Sequence, residues 1–181
     1  MRFSGVKKQN LAVGDFQKSK KGGPMPSHVL LSIDESENSM KAVAFVAKMF
    51  APECRVALLS VMRPVDLVCE MDTAALHGYL AAHHPDYCRE VDARKESALK
   101  SAQSAARRRL VDSGFSDENI TVLYKTMRTD VAVEIIEESR NGYDLIVLGR
   151  RGLSPVKGFF LGSVSQKVMN SAKDVSVLIV N

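Results

Sequence analysis

The chain has 181 residues, 45% of them hydrophobic, a quarter charged and only 6% aromatic, the size and composition of one globular domain with one buried core. Its formal charge of +4 is concentrated before residue 27, where Arg2, Lys7, Lys8, Lys18, Lys20 and Lys21 face only Asp15. Residues 27 to 181 are therefore nearly neutral and lack the broad basic field of a nucleic-acid-binding surface.

Cys54, Cys69 and Cys88 are odd in number and lack C-x-x-C spacing, which fits neither a disulfide framework nor a zinc site. Without an apolar leader stretch or a run near the ~20 residues needed to span a bilayer, the pattern predicts no membrane association and a cytoplasmic setting. Residues 1 to 26 mix basic residues with Gly14, Gly22, Gly23, Pro24 and Pro26 and show no sustained apolar period. They are expected to be a flexible basic tail ahead of a single domain over 27–181.

From His28, the run Val-Leu-Leu-Ser-Ile ending at Asp34 has no helical period and suits a parallel strand buried on both faces. Asp34 and Glu37 form a capping-box-like start to a helix whose apolar stripe is Met40, Val43, Ala44, Ala47 and Phe50. Pro52 closes that helix region. Arg55–Met62 makes a second strand, ended by Arg63-Pro64. Between Val65 and Val111, the Ala- and charge-rich part from Glu90 through Arg109 predicts a helix, while the first part, with Gly78, His83, His84 and Pro85, carries no assignment.

Gly114 ends the long helix. A strand over Ile120–Met127, a helix over Val131–Arg140, a strand over Tyr143–Leu148, a helix over Ser163–Ala172 and a last strand over Val175–Val180 complete an alternating β/α chain. Such alternation implies right-handed crossovers and a doubly wound parallel sheet with helices on both faces. Ligands of such sheets bind beyond the carboxyl ends of the strands, which draws attention to Asp34, Val61, Met62, Met127 and the segment from Gly149.

That segment reads Gly149-Arg-Arg-Gly152 and, after nine intervening residues, Gly162-Ser163-Val164-Ser165. Glycines at a strand end let the backbone approach a phosphate, and the free N–H groups of a helix amino terminus favour an anion. Ser163 and Ser165 offer hydroxyl donors. Neither G-x-x-x-x-G-K-[ST] nor G-x-G-x-x-G follows any predicted strand, which disfavours a Walker-type NTPase and a Rossmann dehydrogenase.

The spacing Gly-x2-Gly-x9-Gly-Ser, the Asp after the first strand and the run Asp144-Leu-Ile-Val-Leu148-Gly149 resemble the nucleotide-binding branch of the universal stress protein family, from about His28 to Val180. The resemblance implies a five-stranded parallel sheet in order 3-2-1-4-5 with ATP, bound with Mg2+, across the ends of strands one and four. It further implies that Ser32, Ile33 and Asp34 meet adenosine, with the carboxylate near the sugar, and that the backbone of Val61 holds adenine. The phosphates would fall to Gly149, Gly152, Gly162, Ser163, Val164 and Ser165, with Leu148 leading into the loop. Relatives also suggest a homodimer through the edge of strand five.

Two departures stand out: Arg150-Arg151 in the loop, which either strengthen phosphate binding or face solvent, and Ser176 where relatives often carry proline. The expected function is a nucleotide-dependent regulatory module in a stress response. The alternatives are a nucleotide-free interaction protein of the same fold, or a slow ATPase resting on Ser163, Ser165 and Lys157 with no carboxylate evidently placed to activate water. The histidines His77, His83 and His84 with Asp86 and Cys88 lack a ligand spacing and are expected in a solvated loop. Arg107, Arg108 and Arg109 are expected on a solvated helix face, and Met40, Met49, Met62, Met127 and Met169 in the core.

Overall fold

The computed structural model describes residues 26–64, 85–152 and 161–181. The expected tail, apart from Pro26, and the histidine-bearing segment lie outside the described residues.

The elements follow as β1 (His28–Ser32), α1 (Glu37–Met49), β2 (Arg55–Met62), α2 (Pro85–Asp112), a short 3-10 turn (Asp117–Asn119), β3 (Ile120–Thr126), α3 (Val131–Ser139), β4 (Leu145–Gly149), α4 (Ser163–Ser171) and β5 (Ser176–Val180). The five strands form one sheet in order β3-β2-β1-β4-β5, and every neighbouring pair is parallel. Strand order reverses direction between β1 and β4, which is where a crevice opens in such sheets.

Alternate strand residues feed two separate cores. On one face, Val29, Leu31, Val56, Leu58 and Val147 pack with Ala42, Val43 and Val46 of α1 and with Ala106 and Leu110 of α2. On the other, Leu30, Ala57, Leu59, Ile146 and Leu148 pack with Ala132 and Ile135 of α3 and Val168 of α4. The near-continuous apolar reading of β1, β2 and β4 follows from this double burial.

The start of α1 differs from the expected capping box. Ser36 is the N-cap, accepting from Ser39 N at 3.2 Å, while Asp34 Oδ1 accepts from Ser36 N at 3.0 Å and from Ser36 Oγ at 2.5 Å. An aspartate two residues before the helix satisfies the local turn and leaves the cap to the serine. Glu37, instead of reaching back, pairs with Lys41 one turn on.

The buried stripe of α1 is Ser39, Ala42, Val43 and Val46, with Met40, Ala47 and Phe50 packed at its margin and Ala44 only half-buried. Two methionines expected in the core are exposed: Met49 in the last turn of α1, at 53%, and Met169 on α4, at 46%. Met62 and Met127 are half-buried.

Gly114, at φ +98°, takes the left-handed conformation that ends α2. Arg107 of α2 forks onto Asp117, with Nε 2.7 Å from Oδ1, and Arg108 and Arg109 are exposed, so the arginine run is a solvated face as its pattern suggests.

A candidate nucleotide crevice at the carboxyl ends of the strands

The crevice is assembled first by β1. Ile33 N donates to Leu59 O at 2.8 Å, and Ser39 Oγ donates to the Asp34 carbonyl at 2.6 Å, so the turn after β1 is tied both to the sheet and to α1. Asp34 keeps one carboxylate oxygen for Ser36. Its other oxygen, Oδ2, lies where a Cβ on Gly152 would come within 2.7 Å of it. A glycine at 152 is thus what leaves room for this carboxylate at the mouth.

Val61 is placed by the sheet itself. Leu59 O accepts from β1, and Met62 O accepts from Met127 N at 2.7 Å on the β3 side. Backbone groups of successive strand residues face opposite neighbours, so Val61 turns its N–H and C=O to the β1 side, beyond Ser32, the last β1 residue paired with β2. The Ile33 carbonyl that would otherwise meet Val61 is held by Ser60 Oγ at 2.8 Å. One donor and one acceptor of Val61 therefore face the crevice together.

The third side is the glycine segment. A Cβ on Gly149 would sit 2.7 Å from both the carbonyl carbon and oxygen of Asn38, so glycine alone lets the end of β4 approach the first turn of α1 this closely. Gly162 N donates to Arg150 O at 2.9 Å, and a Cβ on Gly162 would lie 3.1 Å from Arg151 Cα and 3.3 Å from Arg150 O. The two ends of the loop are clasped backbone to backbone, with Gly162 as the N-cap of α4 and no side chain capping that helix. The first-turn N–H groups of α4 are thereby presented to the crevice.

Ser165 departs from its expected role. It is buried, and its hydroxyl donates to Gly149 O at 2.8 Å, so it braces α4 against the end of β4 and does not offer that hydrogen to a ligand. Ser163 is exposed.

The cavity so formed measures about 550 Å³, and all eleven expected residues line it: Ser32, Ile33, Asp34, Val61, Leu148, Gly149, Gly152, Gly162, Ser163, Val164 and Ser165. That volume is ordinary for a small-molecule site. Arg151 reaches the lining and Arg150 does not. Sequence reasoning missed Ser36 and Ser39, Arg63 and Val131, and Lys95 and Leu99 of α2. The serines carried a signal as side-chain donors after a strand, whereas placing Lys95 requires the rotational setting of α2 on the sheet.

The wall between α3 and α4 is held by Asp130. It caps α3 through Ala132 N at 2.8 Å and pairs with the Lys167 ammonium of α4. Burial works to raise its carboxyl, yet Lys167 and the Ala132 N–H together hold it below the ordinary carboxylate range. Among the described residues, no group of three His, Cys, Asp or Glu is gathered to hold a metal, and no helix is long and apolar enough to cross a membrane.

Residues 25–181 match the universal stress protein family. The chain belongs to that family. Among solved structures of similar fold, universal stress protein UspA from Lactobacillus plantarum is 17% identical, with a TM-score of 0.65 over 86% of this chain and 97% of that one. The protein MJ0577 is 22% identical, with a TM-score of 0.64 over 85% and 94%. A universal stress protein in complex with cAMP is 22% identical, with a TM-score of 0.55 over 86% and 97%. Identities this low establish a shared fold. No curated protein sequence matches the chain significantly.

Proposed function

We propose that this universal stress protein is an ATP-binding regulatory module, in which nucleotide occupancy of the crevice sets the protein's conformation or its affinity for a partner. The observation that carries this reading is the clasp of Gly162 onto Arg150 and Arg151. It leaves the uncapped amino terminus of α4 open beside Gly149 and Gly152, the chemistry that suits a phosphate chain. The cAMP complex of a family member of the same fold supports nucleotide as the ligand class.

The base would meet the N–H and C=O of Val61, a donor and acceptor side by side, which matches the N1 and N6 edge of adenine. One ribose hydroxyl would donate to Asp34 Oδ2. Mg2+ would travel on the phosphates, since a magnesium ion keeps most of its waters and needs few protein ligands. A homodimer through β5 belongs to the same proposal, because among the described residues β5 is an edge of the sheet, where backbone groups can pair with another strand. So do the regulatory role in stress and the cytoplasmic setting.

Thermal unfolding with ATP and Mg2+ tests the ligand. At a hundred times its Kd the nucleotide should stabilise the fold by about 2.7 kcal/mol, raising the midpoint by about 5–10 °C for a domain of this size. An unchanged midpoint at millimolar ATP would overturn the proposal and leave the interaction-protein reading.

A further inference from the structure

A carboxylate does not set its own plane, because the terminal torsion of an aspartate is broad and roughly two-fold. Asp34 therefore needs partners to keep Oδ2 at the mouth of the crevice. Two come from Ser36, whose N–H and Oγ–H both donate to Oδ1, at 3.0 and 2.5 Å. Gly152 keeps the space beside Oδ2 open, since a Cβ there would lie 2.7 Å from it.

The Ser36 hydroxyl is itself oriented. As the cap of α1 it accepts from Ser39 N at 3.2 Å, which occupies a lone pair and leaves its single proton for an acceptor. Asp34 Oδ1 at 2.5 Å takes that proton in preference to Arg151 O, which lies 3.5 Å away. Ser36 is buried and lines the crevice, where a hydrogen bond to a charged group is stronger than in water.

Capping a helix requires only that the side chain accept. The donation to Asp34 is additional, and a hydroxyl supplies both from one atom. Ser39 completes the arrangement: its Oγ donates to the Asp34 carbonyl at 2.6 Å, fixing the backbone from which the carboxylate projects.

We propose that Ser36 is a positioning residue for the sugar, which by locking the Asp34 carboxylate makes the crevice selective for ribonucleotides over nucleotides that lack a ribose hydroxyl. This deepens the nucleotide reading and rests on it. Asp34 Oδ2 accepts from the 2′ hydroxyl, the 3′ hydroxyl or both, and Ser36 acts through Asp34 without touching the ligand.

Calorimetric titration of ATP, 2′-deoxyATP and 3′-deoxyATP, each with Mg2+, into wild type, Asp34→Asn, Ser36→Ala, Ser36→Gly and Ser36→Thr tests this. The wild type should bind ATP about fivefold to tenfold tighter than at least one deoxy form, the scale of one charge-assisted hydrogen bond. Ser36→Ala and Ser36→Gly should both cut that advantage below about threefold, by weakening ATP and leaving the deoxy form nearly unchanged. Asp34→Asn should do the same, and Ser36→Thr, which keeps the hydroxyl, should keep the advantage. Glycine is tolerated at an N-cap and alanine is not, so the two deletions should differ in thermal midpoint and agree in selectivity.

An advantage unchanged in both deletions overturns the role of Ser36. So does a loss that follows the midpoint, present in Ser36→Ala and absent in Ser36→Gly, or one as large in Ser36→Thr, since capping or packing would then account for it. In each of these results ATP binding leaves the broader nucleotide reading standing. Equal wild-type affinity for all three ligands overturns the sugar contact and Ser36 with it, and again spares the phosphate grip. If the wild type binds none of the three, both readings fall.

Discussion

The two ends of the β1–β4 pair each carry an aspartate, and they use it oppositely. At the amino end, Asp144 Oδ2 accepts from Ser27 N at 2.8 Å, His28 N at 3.0 Å and Ser27 Oγ at 3.0 Å, while His28 stacks on Tyr143 with ring centroids 4.1 Å apart. Those donors hold the Asp144 carboxyl below its ordinary range, the His28 N–H foremost. At the carboxyl end, Asp34 spends one oxygen on its own turn and turns the other toward Gly152 and the cavity. The first aspartate fastens two strands together. The second stands where strands diverge and a ligand can replace the missing strand neighbours. A charged side chain at a strand end is structural when backbone N–H groups converge on it, and is free for recognition when glycine keeps the space beside it open.

The sharpest way to break this contrast is to fill that space. Gly149→Ala would place a methyl 2.7 Å from the Asn38 backbone, where no flexible side-chain end can yield. Overpacking of this kind costs about 2–3 kcal/mol, and chemical denaturation should show that loss with or without ligand.

Ser165→Ala removes the brace between α4 and Gly149 O. The expected loss is about 1 kcal/mol, because a partly buried acceptor is left without its donor. Affinity for ATP should fall less than in any variant that places charge at Gly162, since the α4 N–H groups remain.

The aspartates themselves separate by assay. Asp34→Asn should weaken nucleotide binding about fivefold to tenfold with little change in stability, as loss of one charge-assisted hydrogen bond does. Asp144→Asn should lower the thermal midpoint and leave nucleotide affinity unchanged. Because the folded Asp144 carboxyl lies below its unfolded value of about 3.9, its contribution is present above that pH and is lost as pH falls through the folded value. The wild type should therefore lose stability below about pH 4, and Asp144→Asn should lose less over that range.

The smallest effect is expected at Asp130→Asn. Asparagine also caps a helix, so only the partly exposed pairing with Lys167 is lost, about 0.5 kcal/mol after solvent screening. The acid dependence should soften for the same reason as at Asp144, since the Asp130 carboxyl is also held low in the folded state.

Much of the fold was legible because double burial gives β1, β2 and β4 uninterrupted apolar runs, and because turn and capping residues punctuate the helices. The sheet order and the eleven crevice-lining residues came through the glycine spacing and the resemblance it carries. Composition alone would have left both open. The failures have local causes. Asp34, Ser36 and Glu37 permit two ways to begin α1, and the hydrogen bond from Ser39 Oγ to the Asp34 carbonyl belongs to the one adopted. Met49 and Met169 have helical spacing but fall on turns that face solvent. Whether the Ser165 hydroxyl faces a ligand or Gly149 is a tertiary matter, as is the presence of Lys95 at the crevice.

The central claim, that the clasped glycine loop and the α4 amino terminus bind the phosphates of ATP, is tested most directly by calorimetric titration of ATP with Mg2+ into wild type and Gly162→Asp, with circular dichroism to verify that the variant is folded. Saturable binding to the wild type and at least about a hundredfold loss in the folded variant are expected, because like charges brought together at a closed site cost several kcal/mol. Equal affinity in both proteins, or no binding to the wild type at millimolar ATP, would contradict it.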